Sequence, residues 1–93
     1  VLSPLYLANK TTLINIMEMV SGLFLSKDIV YQNGKPAYLV DLAKAFEWLF
    51  NIKIGDCYQK HEDVIKRKPG KLTGFLNGLA ELIKEEHDKK GYK

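Results

Sequence analysis

At 93 residues, with 46% hydrophobic and 27% charged side chains, the chain has room for one domain and one core, and its composition is that of a folded protein, not a disordered one. No apolar run reaches the roughly 18–20 residues a membrane span needs, and no signal peptide is visible. The single cysteine, Cys57, excludes an internal disulfide and fits a reducing, cytoplasmic compartment.

The chain opens Val1-Leu2-Ser3-Pro4 without a methionine, so residues 1–93 are expected to be one domain cut from a longer protein. Four helical patterns follow. In the first, over 10–25, Leu13, Ile16, Met17, Val20, Leu23 and Phe24 share a face. Asn9 is its expected N-cap, since its side-chain oxygen can accept from the free N–H groups of the first turn. Gly22 weakens the last turn. The connection over 26–37 carries the turn signal Asn33-Gly34, where both residues tolerate positive φ. Flanking apolar triplets around Tyr31 and Tyr38 suit either a tight loop or a minimal two-strand ribbon, and Pro36 argues against a long central strand.

A second helix is predicted over 39–51. Leu39, Leu42, Ala43, Phe46, Leu49 and Phe50 form a clean amphipathic stripe. After the linker 52–55, Asp56 is the expected cap of a third helix, with Gln59 placed as in a capping box. That helix is expected to reach Lys68, where Pro69-Gly70 stops it. The fourth runs over 71–89, with Leu72, Phe75, Leu76, Leu79, Leu82 and Ile83 on one face. Residues 91–93 are expected to fray. The expected fold class is therefore all-α, a small four-helix domain.

The placement of charge is informative. Outside residues 60–71 acids and bases cancel. Within that window Lys60, Lys66, Arg67, Lys68 and Lys71 face only Glu62 and Asp63, so the whole net charge of +3 resides there. The second and third helices have the order of a helix-turn-helix unit, which binds DNA with its second helix in the major groove. On the third helix Ile54, Cys57, Tyr58, His61, Val64 and Ile65 are expected to face inward. Gln59, Lys60, Asp63, Lys66 and Arg67 face outward. Gln59 and Asp63 are the candidates for base-edge contact, and Lys60, Lys66, Arg67, Lys68 and Lys71 for phosphate contact. The same face also reads as solvated: Glu62 with Lys66, and Asp63 with Arg67, are helix-stabilising pairs four apart, acid first.

Other features point toward proteins, not DNA. Trp48 lies off the stripe of the second helix. There it either marks a partner surface or, as is commoner, is covered by a neighbouring element. Gly70, Gly74 and Gly78 recur every four residues. An interior helical glycine costs about 1 kcal/mol relative to alanine, so close approach of another backbone is expected. The first helix of this chain is favoured as that neighbour over a second subunit. Trp48, Gly74 and Gly78 thus form a candidate partner surface, for a homodimer or another protein.

Catalysis finds no support. Cys57 and His61 lie four apart on the apolar stripe, which suits buried packing, and two ligands do not make a zinc site. His61-Glu62 lacks the second histidine of a metalloprotease helix, and no phosphate-binding glycine loop or dinucleotide fingerprint is present. No enzyme activity, metal or cofactor is expected.

The run Phe50-Asn51-Ile52-Lys53-Ile54-Gly55, with Ala43, Phe46 and Tyr58 around it, resembles the C-terminal domain of the RteC family, which regulates excision of bacterial conjugative transposons. Asn9-Lys10-Thr11-Thr12-Leu13 is similar to the opening of that family's first helix, Asn33-Gly34-Lys35 to its loop, and Arg67-Lys68 and Phe75-Leu76 to its basic stretch and last helix. The resemblance covers most of residues 5–85. Departures are His61-Glu62, where the family has apolar residues, and the acids Glu81, Glu85 and Glu86 in the last helix. The resemblance implies a helical or winged-helix-like module for double-stranded DNA at the end of a longer transcription and excision regulator. The alternative is an interaction or dimerisation module without DNA binding.

Overall fold

The computed structural model describes residues 2–92. It contains five helices among those residues: α1 (Leu13–Ser26), α2 (Leu39–Phe50), α3 (Cys57–Ile65), α4 (Pro69–Leu72) and α5 (Gly74–Lys89). No strand is present among the described residues.

Helix α1 organises the rest: α2, α3 and α5 all pack on it. Its sequence, LINIMEMVSGLFLS, contains one charged side chain. A helix apolar on nearly every side is stable only when neighbours cover it. Ile16, Met17 and Val20 are buried against Leu39, Leu42 and Ala43 of α2 and against Ile54, Cys57 and Val64. The helix starts three residues later than its pattern suggested. Thr12, not Asn9, is the N-cap, its hydroxyl accepting from the Asn15 amide at 3.4 Å. Lys27 closes the helix in the left-handed region, φ 60°, its N–H donating to the Phe24 carbonyl.

The 26–37 connection forms a single isolated antiparallel bridge, Val30 to Pro36, and no ribbon. Pro36 has no N–H, so the ladder cannot extend through it. Gly34, φ 86°, makes the turn. The Tyr31 hydroxyl donates to the Asp41 carboxylate and accepts from the Tyr38 amide at 3.0 Å, which ties the loop to the first turn of α2. The carboxylate acceptor favours the protonated phenol, so the Tyr31 hydroxyl titrates above its ordinary range.

Helix α2 matches its predicted span to one residue. Asn51 ends it in the left-handed region, φ 55°, and its side-chain amide donates to the carbonyls of Ser3 and Leu5 at 2.7 and 2.9 Å. One side chain thus caps a helix and pins the N-terminal segment.

Asp56 caps α3, accepting from the Gln59 amide at 3.1 Å. The reciprocal half of the capping box is absent, because the Gln59 side chain turns forward to Asp63 at 3.0 Å. Asp56→Ala is expected to lower stability by about 1 kcal/mol, with α3 amides losing hydrogen-exchange protection before those of α1.

The fourth predicted helix is two. Thr73, at φ −125° and ψ 31°, leaves the helical region and separates the one-turn α4 from α5.

Candidate nucleic-acid interface

Helix α3 is set against α1 by a few firm contacts. Gly55, φ 79°, supplies the bend in the linker, and the Glu47 carboxylate accepts from the Ile54 amide at 2.7 Å. That bond holds the linker so that Ile54 and Cys57 drop into the core. One turn on, His61 Nδ1 shares a hydrogen bond with Ser21 Oγ at 2.8 Å, and its ring meets Phe24 edge-on. Cys57 and His61 are therefore packing residues here. Tyr58 and Ile65, expected inward, are exposed. The helix is only nine residues long, and its inner face is narrower than the sequence stripe, so the stripe's flanks open to solvent.

The end of α3 is anchored by a buried carboxylate. Glu18 is 2% exposed. Its Oε1 lies 3.0 Å from Arg67 Nη1, and its Oε2 accepts from the Leu76 amide at 2.7 Å. Leu76 is the third residue of α5, where backbone N–H groups have no partner within the helix. The carboxylate of α1 thus does for α5 what a local cap would do, and Thr73 makes no side-chain capping bond of its own. The negative charge also sits at the favourable end of the helix dipole. With the helix interrupted at Thr73, the Leu76 N–H is free to meet that carboxylate.

The predicted contact residues separate on this frame. Gln59, Lys66, Lys68 and Lys71 are exposed, while Lys60 and Asp63 are half-buried on the same outer side of α3. Gln59 and Asp63 bond to each other, and Lys66 Nζ lies 3.4 Å from Asp63. The Gln59 amide, and then Lys66, hold the Asp63 carboxyl below the usual carboxylate range, so it stays ionised at neutral pH. Arg67 does not join this face: its guanidinium turns inward to Glu18. Neither pair four apart forms; Asp63 pairs with Lys66 and Arg67 with Glu18.

The candidate partner surface divides as well. Trp48 is 56% exposed, so no neighbouring helix or loop covers most of it. The expectation that Gly74 and Gly78 pack against the first helix is overturned. A Cβ at either glycine, or at Gly70, would meet nothing within 4 Å. Glu18 was missed by the sequence reading. The available signal was its isolation as the one charge in an otherwise apolar helix, since a buried carboxylate must find a cation or N–H donors.

Among the described residues no group of three His, Cys, Asp or Glu side chains could hold a metal ion, and no helix is long and apolar enough to cross a membrane. The chain is 34% identical over 87 residues to Exportin-T of Chaetomium globosum, an alignment that takes in 87% of this chain and 8% of that protein. No solved structure matches it. The model of the family described as RteC protein matches residues 8–90. That span takes in α1 through α5, and on it the chain belongs to the RteC family.

Proposed function

We propose that this domain is the non-catalytic, DNA-binding part of a bacterial regulator of conjugative-transposon excision, acting in the cytoplasm on double-stranded DNA. In this reading α2 and α3 are its helix-turn-helix unit. The observation that carries it is the run from Val64 to Ala80, which contains no acidic side chain and presents Lys66, Lys68 and Lys71 to solvent at the end of α3. Membership of a family of excision regulators supports it.

The roles follow from position. Lys66, Lys68 and Lys71 take phosphates, with Lys60 at the near edge of the same side. Gln59 and Asp63 meet base edges once their mutual bond opens. Asp63 remains a carboxylate, so it suits a donor such as the cytosine amino group and repels phosphate. Arg67 orients the turn, its charge being already matched by Glu18.

Fluorescence anisotropy with labelled duplex across a salt series tests this. Log affinity should fall linearly with log salt. The Lys66/Lys68/Lys71→Ala triple variant should bind more weakly at low salt, with a slope shallower by about 2–3. Equal slopes for variant and wild type would remove the basic turn from the interface. No binding by wild type at low salt would remove DNA and turn attention to a protein partner at Trp48.

A further inference from the structure

We propose that Glu62 is a base-reading side chain of α3, its carboxylate accepting from the amino group of a cytosine in the major groove. The inference rests on the nucleic-acid reading of this domain and adds to it a residue and a base.

The first observation is direction. Cys57 and Val64 of α3 are 5% and 3% exposed and point into the core. At about 3.6 residues per turn, the line opposite them runs through Glu62 and Lys66, with Tyr58 and Gln59 on its two sides in the first turn. All four are exposed. Lys60 and Asp63 stand farther round and are half-buried. Of the two acids, Glu62 therefore lies farther out, and its side chain is longer by one methylene.

The second observation is freedom. The Asp63 carboxylate is held by Gln59 Nε2 at 3.0 Å and by Lys66 Nζ at 3.4 Å. The Glu62 carboxylate has no hydrogen bond or ion pair among the described residues. It can meet a base without first giving up a bond. The third observation is that folding supplies no reason for the acid. Glu62 lies in the last turn of α3, where the backbone dipole disfavours negative charge. The Lys66 pair that would offset it does not form, because Lys66 turns to Asp63. A face built only to hold phosphates would not set an unmatched acid at its centre.

The chemistry of the groove selects the base. Guanine presents the acceptors N7 and O6, thymine the acceptor O4 and a methyl group, and adenine a donor beside the acceptor N7; cytosine presents its amino donor alone. A carboxylate only accepts, so it suits cytosine and is repelled by the acceptors of the others. Lys66, one turn on along the same line, takes phosphate at the border of the groove, as do Lys68 and Lys71 beyond it. Glu62 thus acts in opposite directions on two kinds of DNA. It weakens contact with any phosphate backbone, and it strengthens contact with a site that sets a cytosine before it.

The test is selection by the 93-residue chain from a pool of duplexes with a randomised centre. Anisotropy titrations follow, with an enriched duplex and with a scrambled duplex of the same composition. Wild type should enrich a site with a fixed cytosine. Glu62→Ala should bind that site roughly 10-fold more weakly and the scrambled duplex about 2- to 3-fold more tightly. Exchanging the C·G pair for T·A should weaken wild type by a similar factor and leave Glu62→Ala unaffected. The variant's melting curve should match wild type, since Glu62 is exposed and unpaired. If its affinities for the two duplexes change in the same direction, or not at all, the role of Glu62 is overturned while DNA binding by the domain stands. A wild type that binds DNA but enriches no site has the same meaning. A wild type that binds no duplex at low salt overturns the nucleic-acid reading itself, and this inference with it.

Discussion

Replacing Glu18 with alanine is expected to lower the unfolding free energy by about 3 kcal/mol, the cost of breaking a largely buried ion pair from one side. A domain of this size has roughly 5–14 kcal/mol in all, so the loss is severe. Two groups are stranded together. Arg67, 24% exposed, keeps a charge with no counter-ion, and the Leu76 amide, which the carboxylate accepts at 2.7 Å, keeps a donor with no acceptor. Glu18→Gln separates the two, because its amide oxygen can still take the Leu76 bond while the charge is gone; its cost should fall between wild type and alanine. Urea denaturation gives the free energies. Hydrogen exchange at Leu76 shows whether the start of α5 opens first. A Glu18→Ala domain within about 1 kcal/mol of wild type would show that the carboxylate does not anchor the turn. The same variant bears on function, since Lys66, Lys68 and Lys71 ride on the segment that Glu18 holds from both sides. If they contact phosphates, Glu18→Ala should weaken DNA binding at unchanged salt slope, because the charges remain and only their placement is lost.

Met17→Ala should cost 2–5 kcal/mol, the usual range for truncating a fully buried long side chain. Met17 is 0% exposed, at the centre of the face where α1 meets its neighbours. The cavity would open between helices that cohere chiefly through α1, so relief by local collapse is small and the upper half of the range is expected. Leu2→Ala removes comparable apolar atoms from an exposed position and should change stability by no more than about 0.5 kcal/mol. The pair of thermal melts distinguishes lost packing from lost hydrophobicity as such. Equal losses would mean that α1 is not the hub of the core.

The difference between these two residues shows what the sequence by itself determined. Met17 belongs to a helical stripe, and periodicity alone places it inside. The same regularity located α2 to within a residue and the amphipathic faces of α1 and α5, and Asp56 announced the start of α3 because a cap acts on its own first turn. The family was legible too, in the run from Phe50 to Gly55. It contains the left-handed Asn51 and Gly55, whose backbone demands confine the residue choice. These are local properties, in which each residue's neighbours in sequence are its physical partners.

What only the tertiary structure decided involves partners far apart in sequence. Glu18 meets Arg67 and Leu76 across 49 and 58 residues. No spacing rule links them, yet together they hold the start of α5 and turn Arg67 away from the basic face. Gly74 and Gly78 tell the same story in reverse: their spacing suggested a neighbour, and the fold places none there because they stand on the side of α5 away from the half-buried Leu76 and Leu79. Periodicity says which face of a helix is apolar; only the packing of whole helices decides how much of that face finds cover.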